Sequence, residues 1–143
     1  MISGQKKGKQ YLLFKLEDKY FGTRIDDVKR ILSLDYVHKV PLMKENFEGL
    51  MRYEDKAVPL FNLKKSLGFK GGVTFDESFV AIESVDGCDV GFIIGDVITV
   101  IRIDEEHLKN SSGNVPGVRM ETQWEDNIVY LLNADELVSA ITN

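Results

Sequence analysis

The chain has 143 residues, 29% of them charged, with a formal net charge of −5 at pH 7. That length holds one domain or two small lobes sharing a core, and the acidic balance argues against binding a phosphate backbone, which needs a basic face. The lone Cys88 excludes an internal disulfide and fits a reducing cytoplasm, and no apolar run approaches the ~20 residues of a membrane-spanning helix.

Residues 1–8 are polar and predict a loose solvated arm carrying Lys6 and Lys7; no apolar stretch precedes Tyr11, so no signal peptide is expected. Tyr11 to Leu16 is rich in aromatic and aliphatic residues and ends at Glu17-Asp18-Lys19, a strand entering a turn. Tyr20 and Phe21 open a second strand, with a break at Asp26-Asp27 and a third strand through Val28, Ile31 and Leu32. Lys44 to Phe47 predicts one helical turn. Gly49-Leu50-Met51 and Ala57 to Leu63 then flank a charged stretch, Arg52 to Lys56, as a hairpin whose second strand carries Pro59. Pro59 has no N–H to give, which predicts an unpaired edge or a bulge there. Asn62 is placed to cap a short helix that Gly68 ends, and Lys70-Gly71-Gly72 reads as a linker.

The second half opens with the strand Phe79 to Ile82 and a turn around Gly87. Val90 to Ile103 is mostly β-branched, with Gly91 and Gly95 as bulges or close-approach points. Asp104 is placed to cap a turn through His107, and Asn110 to Asn114 reads as a loop. Gly117 to Met120 and Ile128 to Leu132 form a second hairpin whose tip contains Trp124, expected to make an aromatic patch with Tyr130. Asn133 caps a last helix with Leu137, Val138 and Ile141 on one face. The halves align at an offset of about 68 to 71 residues, Gly49 with Gly117 and Asn62 with Asn133 among them, which predicts two similar β lobes with a common interface.

Catalytic chemistry is missing. His38 and His107 have no partners at metal-ligand spacing, Cys88 has no histidine partner, and neither a nucleophile elbow nor a phosphate loop is present. Glu105-Glu106-His107 reads as a solvated turn. No enzyme activity, cofactor or metal is expected.

The ordered motifs resemble the CheW family of bacterial chemotaxis adaptors. Lys9 to Leu16 with Tyr20-Phe21-Gly22, then Ile25, Val28 and Ile31, then Phe47, Gly49, Leu50, Val58, Pro59, Leu63 and Leu67-Gly68 carry the resemblance in the first half. Val90-Gly91 through Val100 and Gly117 through Leu137 carry it in the second. The resemblance implies a mainly β fold, two intertwined five-stranded SH3-like barrels with short helices and a C-terminal helix. Residues 9–143 would be one domain, with lobes of approximately 9–70 and 71–143. It implies a non-catalytic, cytoplasmic adaptor that bridges the tip of a methyl-accepting chemoreceptor to the regulatory domain of a CheA-type histidine kinase. Nucleic acid and direct membrane insertion play no part. Receptors would bind between the lobes and the kinase at lobe ends. An alternative reading is a module of the same fold in a diverged or non-motility pathway with other partners.

The protein-binding residues so implied are Val28, Arg30, Gly49, Arg52, Glu54, Asp55 and Pro59. The family commonly has Asn-Leu-Arg-Gly at the hairpin tip, where this chain has Arg52-Tyr53-Glu54-Asp55; Arg30 stands where the family commonly has Glu. The exchange of charge predicts a reversed ion pair between Arg30 and Glu54, and the missing Gly predicts altered tip geometry.

Overall fold

The computed structural model describes residues 8–34, 36–41, 47–69, 79–111, 113 and 115–142. The expected arm at 1–7, helical turn at 44–46 and linker at 70–72 lie outside the described residues. The described residues form eleven strands and two α-helices in the order β1 Lys9–Leu16, β2 Lys19–Arg24, β3 Val28–Ser33, β4 Phe47–Tyr53, β5 Lys56–Asn62, α1 Leu63–Ser66, β6 Phe79–Val85, β7 Cys88–Ile94, β8 Asp96–Ile103, β9 Lys109–Asn110, β10 Val118–Trp124, β11 Asn127–Leu132 and α2 Ala134–Thr142. The break at Asp26-Asp27 is a 3₁₀ turn, Ile25–Asp27.

The strands form two sheets, β8-β1-β2-β11-β10-β9 and β3-β6-β7-β5-β4. The expected five strands per lobe are there, and the two-residue β9 makes a sixth in one sheet. β3 belongs to the first half of the chain but pairs with β6, while β8 from the second half pairs with β1. This exchange is what intertwines the lobes. The internal repeat is visible in the registers. Leu16↔Lys19 in one hairpin corresponds to Val85↔Cys88 in the other, a shift of 69 residues. Gly49↔Leu60 corresponds to Met120↔Leu131, a shift of 71, so Gly49 matches Met120 rather than Gly117.

Period-two alternation feeds three clusters at once. In β1, Tyr11 and Leu13 point into a lobe cluster with Ile103, Val129 and Leu131. The alternate residues Leu12, Phe14 and Leu16 point into a core shared with Ala81, Val85, Phe92 and Leu137. In β6, Val80 and Ile82 join Met51, Val58 and Leu60 in the other lobe. Strands buried on both faces read as unbroken apolar runs, which is why Tyr11 to Leu16 and Phe79 to Ile82 stand out in the sequence.

The helix signals are realised in detail. Asn62 Oδ1 accepts from the Lys64 and Lys65 amides, and Gly68 at φ +87° lets Phe69 N–H reach the Lys64 carbonyl. Asn133 Oδ1 accepts from the Glu136 amide and starts α2. The Asp104 expectation is half right: a 3₁₀ turn follows at Glu105–His107, but the Asp104 carboxylate makes no capping bond. Trp124 meets Tyr20 in a tilted contact, 5.9 Å between centroids, and Tyr130 packs on Phe21, so in place of the expected Trp124–Tyr130 patch each ring pairs with an aromatic of β2.

Gly91 and Gly95 are close-approach points. A Cβ on Gly91 would stand 2.6 Å from a Leu60 methyl, and one on Gly95 would collide with the Lys15 carbonyl oxygen. Side-chain methyls yield more readily than backbone. Gly95→Ala is therefore expected to cost on the order of 2 kcal/mol in urea unfolding, and Gly91→Ala less.

Candidate protein-docking site

The β4–β5 hairpin closes through Glu54-Asp55, at φ +50° and +62°. Two successive left-handed residues make the turn that matches strand twist, a conformation in which Gly or Asn costs least. The missing Gly thus leaves the turn in place but strained, since non-glycine residues in this region carry about 1 kcal/mol or more. Pro59 faces Leu50 across the hairpin and lies one residue before β5 begins its parallel pairing with β7 at Leu60↔Gly91. Its missing N–H therefore falls outside that ladder.

Gly49 has a separate reason. His38 and Leu50 exchange both backbone hydrogen bonds, 2.8 and 2.9 Å, laying the segment after β3 across β4. A Cβ on Gly49 would collide with the His38 carbonyl oxygen and meet the Val37 side chain at 2.7 Å. Beside this crossing, Glu48 accepts from Asn62 Nδ2 at 2.9 Å and from Lys39 at 3.4 Å, and lies 3.7 Å from Lys65. Burial pushes its carboxyl up, but the Asn62 bond and the two lysines outweigh that and hold it below the usual range. The network ties the segment after β3 to β4 and to the start of α1.

These contacts shape an open cleft of about 780 Å³ lined by Leu32, Tyr36, Leu50, Met51, Arg52 and Asp55, among others. Tyr36 is 67% exposed and meets His38 edge-on at 4.8 Å. An exposed aromatic beside mixed charge is typical of a protein-binding rim. Arg52 and Asp55 thus share the cleft, Glu54 stands at its tip, and Gly49 and Pro59 shape the strands beneath.

Val28 and Arg30 lie outside the cleft on β3, which is last in that sheet's strand order from β4 but whose end, Leu32 and Ser33, lines the cleft. Arg30 and Glu54 share no hydrogen bond or ion pair, so the reversed pair does not form. Its physical reason is a bulge: Val28 pairs with Glu83 and Arg30 with Ile82, leaving Lys29 as the extra residue. Lys29 Nζ lies 2.6 Å from Asp89 Oδ1. The Asp89 bond raises the Lys29 ammonium above its ordinary value, with Glu54 adding a minor share. The cation near the tip is the neighbour of the one expected.

The resemblance implied a receptor surface between the lobes but named no residue of β8 there. On edge strand β8, Ile98 and Val100 are 41% and 42% exposed. Val97 of β8 and Val28 and Ile31 of β3 pack against the shared core. The two edges therefore border one apolar seam between the lobes. The signal was the β-branched run from Val97 to Ile101, read only as a strand. Asp104, Glu106 and His107 bring ligand atoms within 4.8 Å of one another, but this is an exposed turn of a kind common without an ion.

A Glu54→Arg, Arg30→Glu double-mutant cycle should give a coupling below about 0.3 kcal/mol in urea unfolding. Asp55→Gly should raise stability by about 0.5–1 kcal/mol, by relief of the turn.

The comparisons agree with the fold and the motif order. The family model described as a CheW-like domain matches residues 10–142. The chain is similar to the "Chemotaxis protein CheW" of Thermotoga maritima, 23% identical and covering 93% of this chain and 89% of that protein. It is also similar to the protein of the same name from Treponema pallidum, 24% identical over 78% of this chain and 68% of that one. Among solved structures, the scaffolding protein TtCheW from Thermoanaerobacter tengcongensis superposes with a TM-score of 0.86 at 23% identity, covering 96% of this chain and 92% of that one. At that identity the superposition establishes the fold.

Proposed function

The chain belongs to the CheW-like domain family, and we propose on that premise that it is a non-catalytic chemotaxis adaptor coupling chemoreceptors to a CheA-type histidine kinase. The observation that carries the reading is the family match over residues 10–142, nearly the whole chain. The chemotaxis names of its relatives favour this over a module in another pathway. No helix among the described residues is long and apolar enough to cross a membrane.

Two surfaces divide the work. The seam between β3 and β8, with Val28 at one side and exposed Ile98 and Val100 at the other, takes the helical tip of a receptor. The end of the first lobe, with Arg52, Glu54 and Asp55 at the hairpin and Arg30 exposed on β3, takes the regulatory domain of the kinase. Gly49 and Pro59 hold the hairpin's shape there. Charges at such a rim set partner choice more than strength. An acidic tip where relatives commonly carry Arg selects a kinase surface with basic groups opposite.

Pull-down with a CheA-type kinase and a receptor cytoplasmic fragment tests the reading. The wild-type chain should retain both. Val100→Glu should weaken receptor retention about tenfold and leave the kinase bound, because a charge in an apolar contact is left unpaired. Glu54→Arg should weaken kinase retention by about tenfold and leave the receptor bound. Retention of neither partner by the wild-type chain would overturn the adaptor assignment.

A further inference from the structure

Among the described residues, one buried polar pair lies on the faces that form the core shared by the lobes. Glu83 lies on the β6 face that also carries Ala81 and Val85, and is 3% exposed. Its Oε1 accepts a 3.0 Å hydrogen bond from Thr23 Oγ1 of β2, in the other sheet. Thr23 is equally buried, at 3%. The bond therefore spans the interface between the lobes.

The internal repeat supplies a control. The shift of 69 residues that carries the first half onto the second matches Glu83 with Phe14 and Thr23 with Phe92. Both phenylalanines are at most 1% exposed. The fold thus fills the equivalent places with two aromatic rings, and nothing in its topology requires a carboxyl and a hydroxyl there. Backbone pairing repeats as well: Phe14 lies opposite Val97 of β8, and Glu83 opposite Val28 of β3. The polar pair backs the β3 side of the seam only.

We infer that Glu83 and Thr23 form a proton-controlled latch between the lobes, closed when the Glu83 carboxyl is neutral and loosened when it ionises. A neutral carboxyl is tolerated in an apolar core; a carboxylate buried with one hydroxyl donor and a like charge nearby is not, because that single bond does not offset the loss of water. Among the described residues no cation pairs with it: Arg24 of β2 pairs with Asp26, and Lys29 of β3 with Asp89. β2 presents the Thr23 hydroxyl, β3 and β7 present Val28 and Val90, and the 3₁₀ turn presents Asp27, a like charge. Burial accordingly pushes Glu83 up to about 7, with the Thr23 bond opposing and Asp27 adding. The unfolded chain ionises this group near the ordinary value of 4.5. Between the two values the folded state holds more protons, so the latch is fully stabilising below 4.5 and is lost as pH rises through 7. The latch does not depend on which partner occupies the seam.

The test uses the whole chain in two ways. Carbon-13 NMR of the Glu83 side-chain carboxyl should titrate near 7; a midpoint near 4.5 would overturn the proposal. Hydrogen exchange, corrected for intrinsic rates, should show β2 and β3 losing protection about tenfold between pH 6 and pH 8. Glu83→Gln keeps the Thr23 bond without a titrating group, and should hold the pH 6 protection at both values. The same pH dependence in wild type and Glu83→Gln would also overturn it. His38→Gln and His107→Gln should leave the wild-type dependence intact, which separates the latch from histidine titration.

Discussion

The structure depends on the sharing of one core by two lobes. Leu12, Phe14, Leu16 and Phe21 reach it from one sheet, and Phe61, Ala81, Phe92 and Ile94 from the other. A lobe of this size buries too little surface to stand alone. Removing either sheet would strip the other of the partner for half of its buried side chains. The mixing of the halves follows from this constraint, since the β1–β2 hairpin sits in the sheet of β8 to β11 and the β6–β7 hairpin in the sheet of β3 to β5.

The same constraint places the surfaces. Each lobe keeps its own small cluster at its outer end, where Met51, Tyr53 and Val58 support the β4–β5 hairpin. That end is free to carry a strained, charged turn because the shared core, not the hairpin, holds the lobes together. The seam is the opposite case. There Val28, Ile31 and Val97 pack against the shared core from the edge strands of the two sheets and are only partly covered. Docking at the seam touches the core directly, whereas docking at the hairpin end touches one lobe.

Much of the fold was legible in the sequence because its signals are local or repeated. Strands buried on both faces give continuous apolar runs, Asn62 and Gly68 bracket α1, and Asn133 opens α2. The resemblance to the adaptor family rested on the same elements. The candidate site was legible only in part. Arg52 and Asp55 do share a cleft, but the Arg30–Glu54 pairing failed on a single bulge, which has no composition signature and moves the cation by one residue. The Gly49–Gly117 match failed for a related reason: the two glycines serve different purposes. Gly49 admits the His38 crossing, while a Cβ on Gly117 would collide with Leu137 of α2. The burial of Glu83 was equally invisible, since a Glu after Ile82 reads as a strand leaving the core.

The two seam edges show what the repeat was free to change. Their registers match, with Lys29 as the extra residue in β3 and Ile98 in β8. At the next position β3 has the exposed Arg30 and β8 has Thr99. Charged residues on an edge strand discourage pairing with another chain, and lysine is the commonest device. β3 therefore carries its charge in mid-strand, whereas β8 is charged only towards its ends, at Asp96 and Arg102, with Ile98 and Val100 exposed between them. An unprotected apolar edge is an aggregation liability unless something covers it. Because one fold supports both versions, the apolar one is not imposed by packing, and this contrast between the two edges supports the proposal that the seam takes a partner.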